Sequence, residues 1–325
     1  MGKKLAVLAL LVVLCSVTGQ AAGSLAVGFY DHTCPNAKKI VRGVVEVAMQ
    51  QNLECSSTTA SSWYLATYAH VSSGRVLQCR RSLDLYKACG FEAIDAAKEK
   101  LEEACPGTVS CADIVAFAAR DASAVLSNGR VSFPMPGGRR DGRVSLSSAA
   151  LQFLPPPSFN LSELTASFAA KGLDVDYLVV LSGAHSVGRA HCSAFTDRLA
   201  PGSNSTMNDA LAASLRRHCP ASPNATNDPT VNQDVVTPTS LDNQYYKNLL
   251  NGNVLASRST NASVTQLALS SGLFEAKFAK AMVKMATIEV KTAPKGEITR
   301  FCRKVNGSPD IRVAARSKQQ LHNSA

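Results

Sequence analysis

The chain opens MGKKLAVLALLVVLCSVTGQAAGS: two lysines, an apolar run from Leu5 to about Val17, then small residues. This is the layout of a secretory signal peptide, and the run is too short for a membrane span. Cleavage fits after Gly19 or after Gly23. The leader commits the rest of the chain to an oxidising compartment, where cysteines pair. Ten cysteines are present, and Cys15 leaves with the leader. The nine that remain are Cys34, Cys55, Cys79, Cys89, Cys105, Cys111, Cys192, Cys219 and Cys302. An odd number cannot pair completely. Three of the nine, Cys55, Cys79 and Cys89, crowd into one region. The fold is therefore expected to be stapled by disulfides, with an irregularity somewhere between residues 55 and 89.

No other long apolar run, internal repeat or dividing linker follows, so residues 24–325 are read as a single domain behind a signal peptide at 1–23. Hydrophobic residues make up 46% of the chain, enough for a sizeable core. The net charge is +10, of which Lys3 and Lys4 leave with the leader. Such a surface is drawn to acidic polymers. The basic residues are dispersed rather than interleaved with aromatics, which argues against nucleic acid. Sequons at Asn160, Asn204, Asn224, Asn261 and Asn306 are candidate glycan sites in a secreted chain.

Helical periodicity dominates. PNAKKIVRGVVEVAMQQN places Ile40, Val44 and Ala48 on one face, with Pro35 at its start. GFEAIDAAKEKLEEAC aligns Phe91, Ile94, Ala97 and Leu101. SCADIVAFAARDASAVL repeats Ile114, Ala118 and Ala122. NLSELTASFAAKG has Asn160 as N-cap, Glu163 completing a capping box and Gly172 as its stop. DVDYLVVLSG runs from the cap Asp174, and AHSVGRAHCSAF is expected to begin another helix. LDNQYYKNLLNG and LFEAKFAKAMVKMATIEV complete the set. The strand-like pieces are RVSF and GRVSL, flanking PMPGGRRDG. The expectation is a mainly α protein with one small β-hairpin.

His185 follows Gly183 at a helix boundary, in DYLVVLSGAHSVGRAHC. That stretch resembles the proximal motif of the plant secretory (class III) haem peroxidases. AVGFYDHTCPNA, ACPGTVSCADIVAFAARD, GGRRDGRVS, VVTPTSLDNQYY and GEITRFCRKVN resemble the same family, in its order and spacing. The resemblance covers about residues 25–52 and 90–325. It implies a helical haem-peroxidase fold, haem b and calcium as cofactors, and H2O2-driven one-electron oxidation of small phenolic donors. His185 would be the axial haem ligand, a neutral imidazole leaving the opposite face open. Ser186 stands where the family usually has Thr and keeps the hydroxyl. With Asp234, Thr237, the Ser240 carbonyl and Asp242 it would form the proximal calcium site, an oxygen set suited to that hard cation. Pro136 would contact substrate. The resemblance also implies the pairs Cys34–Cys105, Cys111–Cys302 and Cys192–Cys219, and it leaves Cys55, Cys79 and Cys89 without partners. It implies secretion to the cell wall, where acidic wall polysaccharide is a candidate partner, with no membrane and no nucleic acid, and a monomer.

The family's distal helix is missing. Between AMQQN and GFEAIDAAK the family carries a pattern like R-x-x-F-H-D-C-F-V, then G-C-D. Its His takes a proton from peroxide and returns it to the leaving oxygen, its Arg stabilises the charge as the O–O bond breaks, and its Asp residues hold a second calcium. The segment here begins LECSSTTASS, and His70 is its one histidine. Phe-His-Asp-Cys-Phe-Val written TTC CAC GAC TGC TTC GTC, read one base out of frame, gives Ser-Thr-Thr-Ala-Ser-Ser. Residues 57–62 are that string. Leu53-Glu54-Cys55-Ser56 written CTC GAG TGC TCT supplies Arg-Val-Leu-Phe in the other frame, including the Arg. Residues 53–89 therefore read as the distal segment translated out of frame, with the family frame resuming near Gly90. A splice error, a sequencing error or a lesion in the gene would each produce it; a divergent polar loop is the plain alternative.

A second departure lies in NVLASRSTNAS. The family usually has an Asp there, accepting a hydrogen bond from the proximal His, which fixes the tautomer and raises ligand basicity. Arg258 or Ser259 occupies the aligned place, and no acidic residue occurs between Asp242 and Glu275. The sequence thus presents a secreted haem peroxidase whose distal catalytic residues are absent. The alternative is a catalytically inactive haem-binding or apo extracellular protein from a mis-spliced or damaged gene.

Overall fold

The computed structural model describes residues 24–51, 90–144, 154–200, 202–203, 207–251 and 260–307. The leader, the segment 53–89 with His70, Cys55, Cys79 and Cys89, and the pair Arg258 and Ser259 lie outside them.

Among the described residues there are nine α-helices, eight of which pack on one continuous core. The first layer is α1 (Ala37–Gln51), α2 (Phe91–Ala104) and α3 (Cys111–Leu126). The buried face of α1 is Ala37, Val41, Val44, Val45 and Met49; Ile40 and Ala48 flank that stripe and are half-buried. In α2, Ile94, Ala97 and Leu101 are buried and Phe91 packs at their edge. Helix α3 is apolar nearly all round, the mark of a helix enclosed by others. Ile114, Phe117, Ala118, Ala119 and Ala122 have no exposed surface. Its start is set by Ser110, whose side chain accepts the Asp113 amide at 3.1 Å.

The second layer is α4 (Leu161–Ala169), α5 (Val175–Ser182), α7 (Gln244–Leu250), α8 (Asn261–Leu269) and α9 (Ser271–Met285), while α6 (Asp209–His218) packs in a separate satellite core. The expected capping box is present: Asn160 accepts the Glu163 amide at 3.0 Å and Glu163 accepts the Asn160 amide at 2.7 Å. Asp174 caps α5 through the Tyr177 amide. Helices α6 and α8 were not anticipated by periodicity. No described helix is long and apolar enough to cross a membrane.

Two expectations are corrected. First, RVSF and the described part of GRVSL form no hairpin. The loop between them is instead fixed by single bridges, Gly137 to Ala26 and Asp141 to Glu297, and by buried charge. Asp113 accepts from Tyr30 Oη (2.6 Å), the Gly138 amide (2.6 Å) and Arg139 Nη1 (2.7 Å). Arg139 also donates to the carbonyls of Pro136 and Ala286. Asp141 accepts the amides of Cys111, Ala112 and Thr299. Buried ions persist only when their hydrogen-bonding capacity is met in this way, and meeting it takes the loop's backbone out of any strand ladder.

Second, the small antiparallel sheet lies elsewhere, and it displaces the helix expected from Ala184 onward. After α5 a single 3₁₀ turn covers Gly183–Ser186, and Val187 is extended (φ −124°, ψ 148°). Gly188 then takes φ 113°, a left-handed value that glycine tolerates. The chain runs on as β1 (Arg189–His191), which pairs with β2 (Thr230–Asn232) in the register Arg189 to Asn232 and His191 to Thr230. The Arg189 side chain locks that register by donating to Thr230 Oγ1 at 2.7 Å and to the Thr230 carbonyl at 2.9 Å.

Three disulfides tie the layers: Cys34–Cys105, Cys111–Cys302 and Cys192–Cys219, with Cα separations of 5.8, 5.5 and 5.5 Å. The first joins the turn just before α1 to the residue that caps the end of α2. The second joins the start of α3 to the C-terminal region. The third closes a small satellite core with Leu199 and Ala212.

Candidate functional site

The site forms where the C-terminus of α5 meets the end of β2. Tyr246 of α7 is buried behind that junction, its hydroxyl 3.0 Å from the carbonyls of both Val179 and Val180. Gly183 lies against the Tyr246 hydroxyl and the Phe274 ring so closely that a Cβ there would overlap both. That close approach is why a glycine stands at the end of α5, and it turns the chain so that His185 leaves the core on a rigid 3₁₀ turn.

His185 is half-buried. Its Nδ1 lies 2.9 Å from Oε1 of Gln233. The Tyr245 ring stands 6.2 Å from the imidazole, and burial pushes its phenol up to about 12. Burial also holds the imidazole below the usual histidine value, against the Gln233 hydrogen bond that favours the charged form. The ring is thus neutral near pH 7. Among the described residues no hydrogen bond to Nε2 is present. A neutral imidazole with one nitrogen engaged and the other free is the donor arrangement of an axial metal ligand, so the residues present fit a haem iron at Nε2.

The next residue starts a second cluster. Ser186 is fully buried, with its Oγ 2.9 Å from the Ser240 carbonyl and 3.1 Å from Asp242 Oδ1. Thr237 Oγ1 lies 3.3 Å from both Asp234 Oδ2 and Asp242 Oδ1. The other Asp234 oxygen, Oδ1, accepts the amides of Val236 and Thr237 and Nδ2 of Asn248. The five residues expected at a calcium site are therefore brought together. Ser186 Oγ also accepts the Asp242 amide at 3.3 Å, and Asp242 Oδ1 accepts the Gln244 amide at 2.8 Å. Among the described residues no Lys or Arg is ion-paired with either carboxylate. Nor do three His, Cys, Asp or Glu side chains converge anywhere among them; the set here is two carboxylates, two hydroxyls and a carbonyl. Crowded oxygens with uncompensated negative charge suit a hard cation such as Ca²⁺.

The sheet couples the two clusters. The Gln233 amide donates to the Gly188 carbonyl at 3.1 Å, one step past the last β1–β2 pair. Gln233 then faces His185, and Asp234, next in the chain, reaches the Ser186 cluster. Sequence reading missed Gln233. The available signal was its place beside Asp234, but its partner His185 is 48 residues earlier, across a strand pairing that periodicity does not report.

Pro136 is not brought to His185 by any described contact. It is buried, and its carbonyl accepts Arg139 Nη1 at 2.6 Å, so its visible role is to brace the Asp113–Arg139 pair.

A family model described as peroxidase matches residues 82–286. Peroxidase 2 of Zea mays is 46% identical over 301 residues, covering 87% of this chain and 89% of that protein. Peroxidase 1 of Zea mays is 38% identical, covering 89% of this chain and 85% of that protein. Peroxidase 64 of Arabidopsis thaliana is 37% identical, covering 91% of this chain and 98% of its own length.

Proposed function

The chain belongs to the peroxidase family, with plant class III peroxidases as its relatives, and on that premise we propose that it is a secreted haem peroxidase whose proximal half is intact and whose distal half is not encoded in frame. The reaction class is H2O2-dependent oxidation of phenolic donors: one peroxide accepts two electrons and two protons from two phenols, giving two phenoxyl radicals and two waters. The observation that carries this reading is His185, held through Nδ1 with no hydrogen bond to Nε2 among the described residues, on the turn that also supplies Ser186 to an oxygen cluster.

Haem bound here would supply the redox-active iron at which peroxide is reduced. The chain's own part is positional. Tyr246 and Gly183 fix the turn, Gln233 orients the imidazole, and Ser186, Asp234, Thr237, Ser240 and Asp242 would hold calcium beneath it. Residues 24–325 act as one domain. By resemblance the extracellular wall is the expected location, and the chain acts as a monomer; the cationic surface suits an acidic wall polysaccharide, while the phenol contact that the resemblance implies for Pro136 has no support in its buried place.

Catalysis on the peroxide side needs a base and a cation over the iron. The sequence of residues 53–89 offers neither in the family pattern. The frame-shift reading rests on the string at residues 57–62 alone: the family-model match spans residues 82–286, starting inside the segment 53–89 and leaving the family-like residues 25–52 outside it as well. If the lesion lies in the gene itself, the product is the inactive haem-binding form.

Two measurements test this. The secreted chain mixed with haem is expected to develop a Soret band that His185→Ala abolishes. A band insensitive to that substitution would contradict the His185 assignment. The transcript across codons 53–62 is expected to contain an overlapping CAC GAC TGC in the second frame. Serine codons of the AGC or AGT type there would end the frame-shift reading.

A further inference from the structure

Gln233 occupies a chemically specific position. Its Oε1 is 2.9 Å from His185 Nδ1, and its backbone amide is pinned to the Gly188 carbonyl at 3.1 Å. The following residue, Asp234, is fully buried and held by the Val236 and Thr237 amides. The backbone on both sides of Gln233 is therefore fixed, and the side chain has a short reach to the imidazole. A histidine ligand is normally oriented by a hydrogen bond at its second nitrogen, often to a carboxylate. Here the acceptor is an uncharged amide oxygen, and the place expected to hold a carboxylate has Arg258 or Ser259.

We infer that Gln233 is the positioning residue for His185: its amide carbonyl accepts the Nδ1 proton, selects the tautomer with the Nε2 lone pair free, and does so without donating carboxylate charge to the ring. The inference rests on the His185 assignment above, but its first consequence exists without haem. An amide presents either oxygen or NH2 to the ring, and only the oxygen selects this tautomer. Because the acceptor is neutral, the imidazole is a weaker electron donor than one facing a carboxylate. A bound iron is then less stabilised in its oxidised state.

The test uses the full secreted chain and its Gln233→Leu and Gln233→Glu variants. Nitrogen-15 NMR of the haem-free protein, at a pH where the imidazole is neutral, is expected to show His185 protonated at Nδ1 in the parent and in Gln233→Glu. In Gln233→Leu this preference should be lost. With haem added, Gln233→Leu should weaken binding about 10–100-fold. Gln233→Glu should keep binding and move the Fe(III)/Fe(II) midpoint potential to a more negative value. A merely structural role for Gln233 would leave that potential unmoved in the folded Glu variant. The inference is overturned by an Nε2-protonated His185 in the parent, by an unchanged tautomer in Gln233→Leu, or by equal potentials in parent and Gln233→Glu. A haem band that survives His185→Ala would overturn the ligand assignment separately, because the NMR result does not depend on haem.

Discussion

Two buried residues without direct contact to a ligand carry much of the architecture. Asp113 and Arg139 form an ion pair at 2.7 Å, with Arg139 4% exposed and Asp113 fully enclosed. Tyr30 shares that pair, donating to Asp113 at 2.6 Å, and burial first, then the Asp113 charge, pushes its phenol up. Removing one member leaves the other buried and unpaired. Asp113→Ala is expected to destabilise the fold by about 3–5 kcal/mol, measured by denaturant unfolding. Gly183→Ala is a second residue-scale case. The added methyl meets the Tyr246 hydroxyl and the Phe274 ring, and overpacking of this kind costs about 1–3 kcal/mol. Because the strain falls on the turn that carries His185, the same variant should lose haem affinity. Full stability with unchanged haem binding would contradict the rigid-turn account.

At the scale of elements, the segment after α5 and the end of β2 act as one unit. Helix caps were legible in the sequence, because a cap is a local pattern: Asn160 with Glu163, and Asp174 with Tyr177, both stand where expected. The break at Val187 and Gly188 was not, because its cause is a strand partner about 40 residues later in the chain. The misplaced hairpin has the same origin, since RVSF alternates like a strand while the buried charges of Asp113, Arg139 and Asp141 claim its neighbouring loop. His185 and the residues proposed to hold calcium could be named from motif resemblance; Gln233 could not, since no motif marks it. The unit predicts a metal dependence. Ser186, Thr237, Asp234 and Asp242 crowd their oxygens together with no Lys or Arg ion-paired to either carboxylate among the described residues, so chelating calcium should lower the melting temperature and release haem, and added calcium should restore both. Asp234→Asn should reproduce the loss and resist the rescue. Indifference to chelator would remove the cation from the account.

Among the described residues two helical layers enclose the main core beside a satellite core, and three bridges close loops spanning 71, 191 and 27 residues. Peptide mapping of the secreted product should return those three pairs as the dominant set, with Cys55, Cys79 and Cys89 variable in their bonding. A unique bond from Cys192 to any of those three would contradict it. The central claim is that this chain keeps the half of a peroxidase that holds haem and lacks the half that breaks peroxide. It is tested most directly by steady-state phenol oxidation with H2O2, haem and calcium. The secreted chain is assayed beside a variant whose residues 53–89 are rewritten in the family frame. General acid–base help is worth about 10²–10⁴-fold, and charge stabilisation about 10²–10³-fold, without simple multiplication because the groups act together. The account predicts a His185-dependent Soret band from both proteins, with turnover of the parent at least about 10²-fold below the rewritten variant. Equal rates from the two would show that the distal residues are not needed here and would contradict the claim.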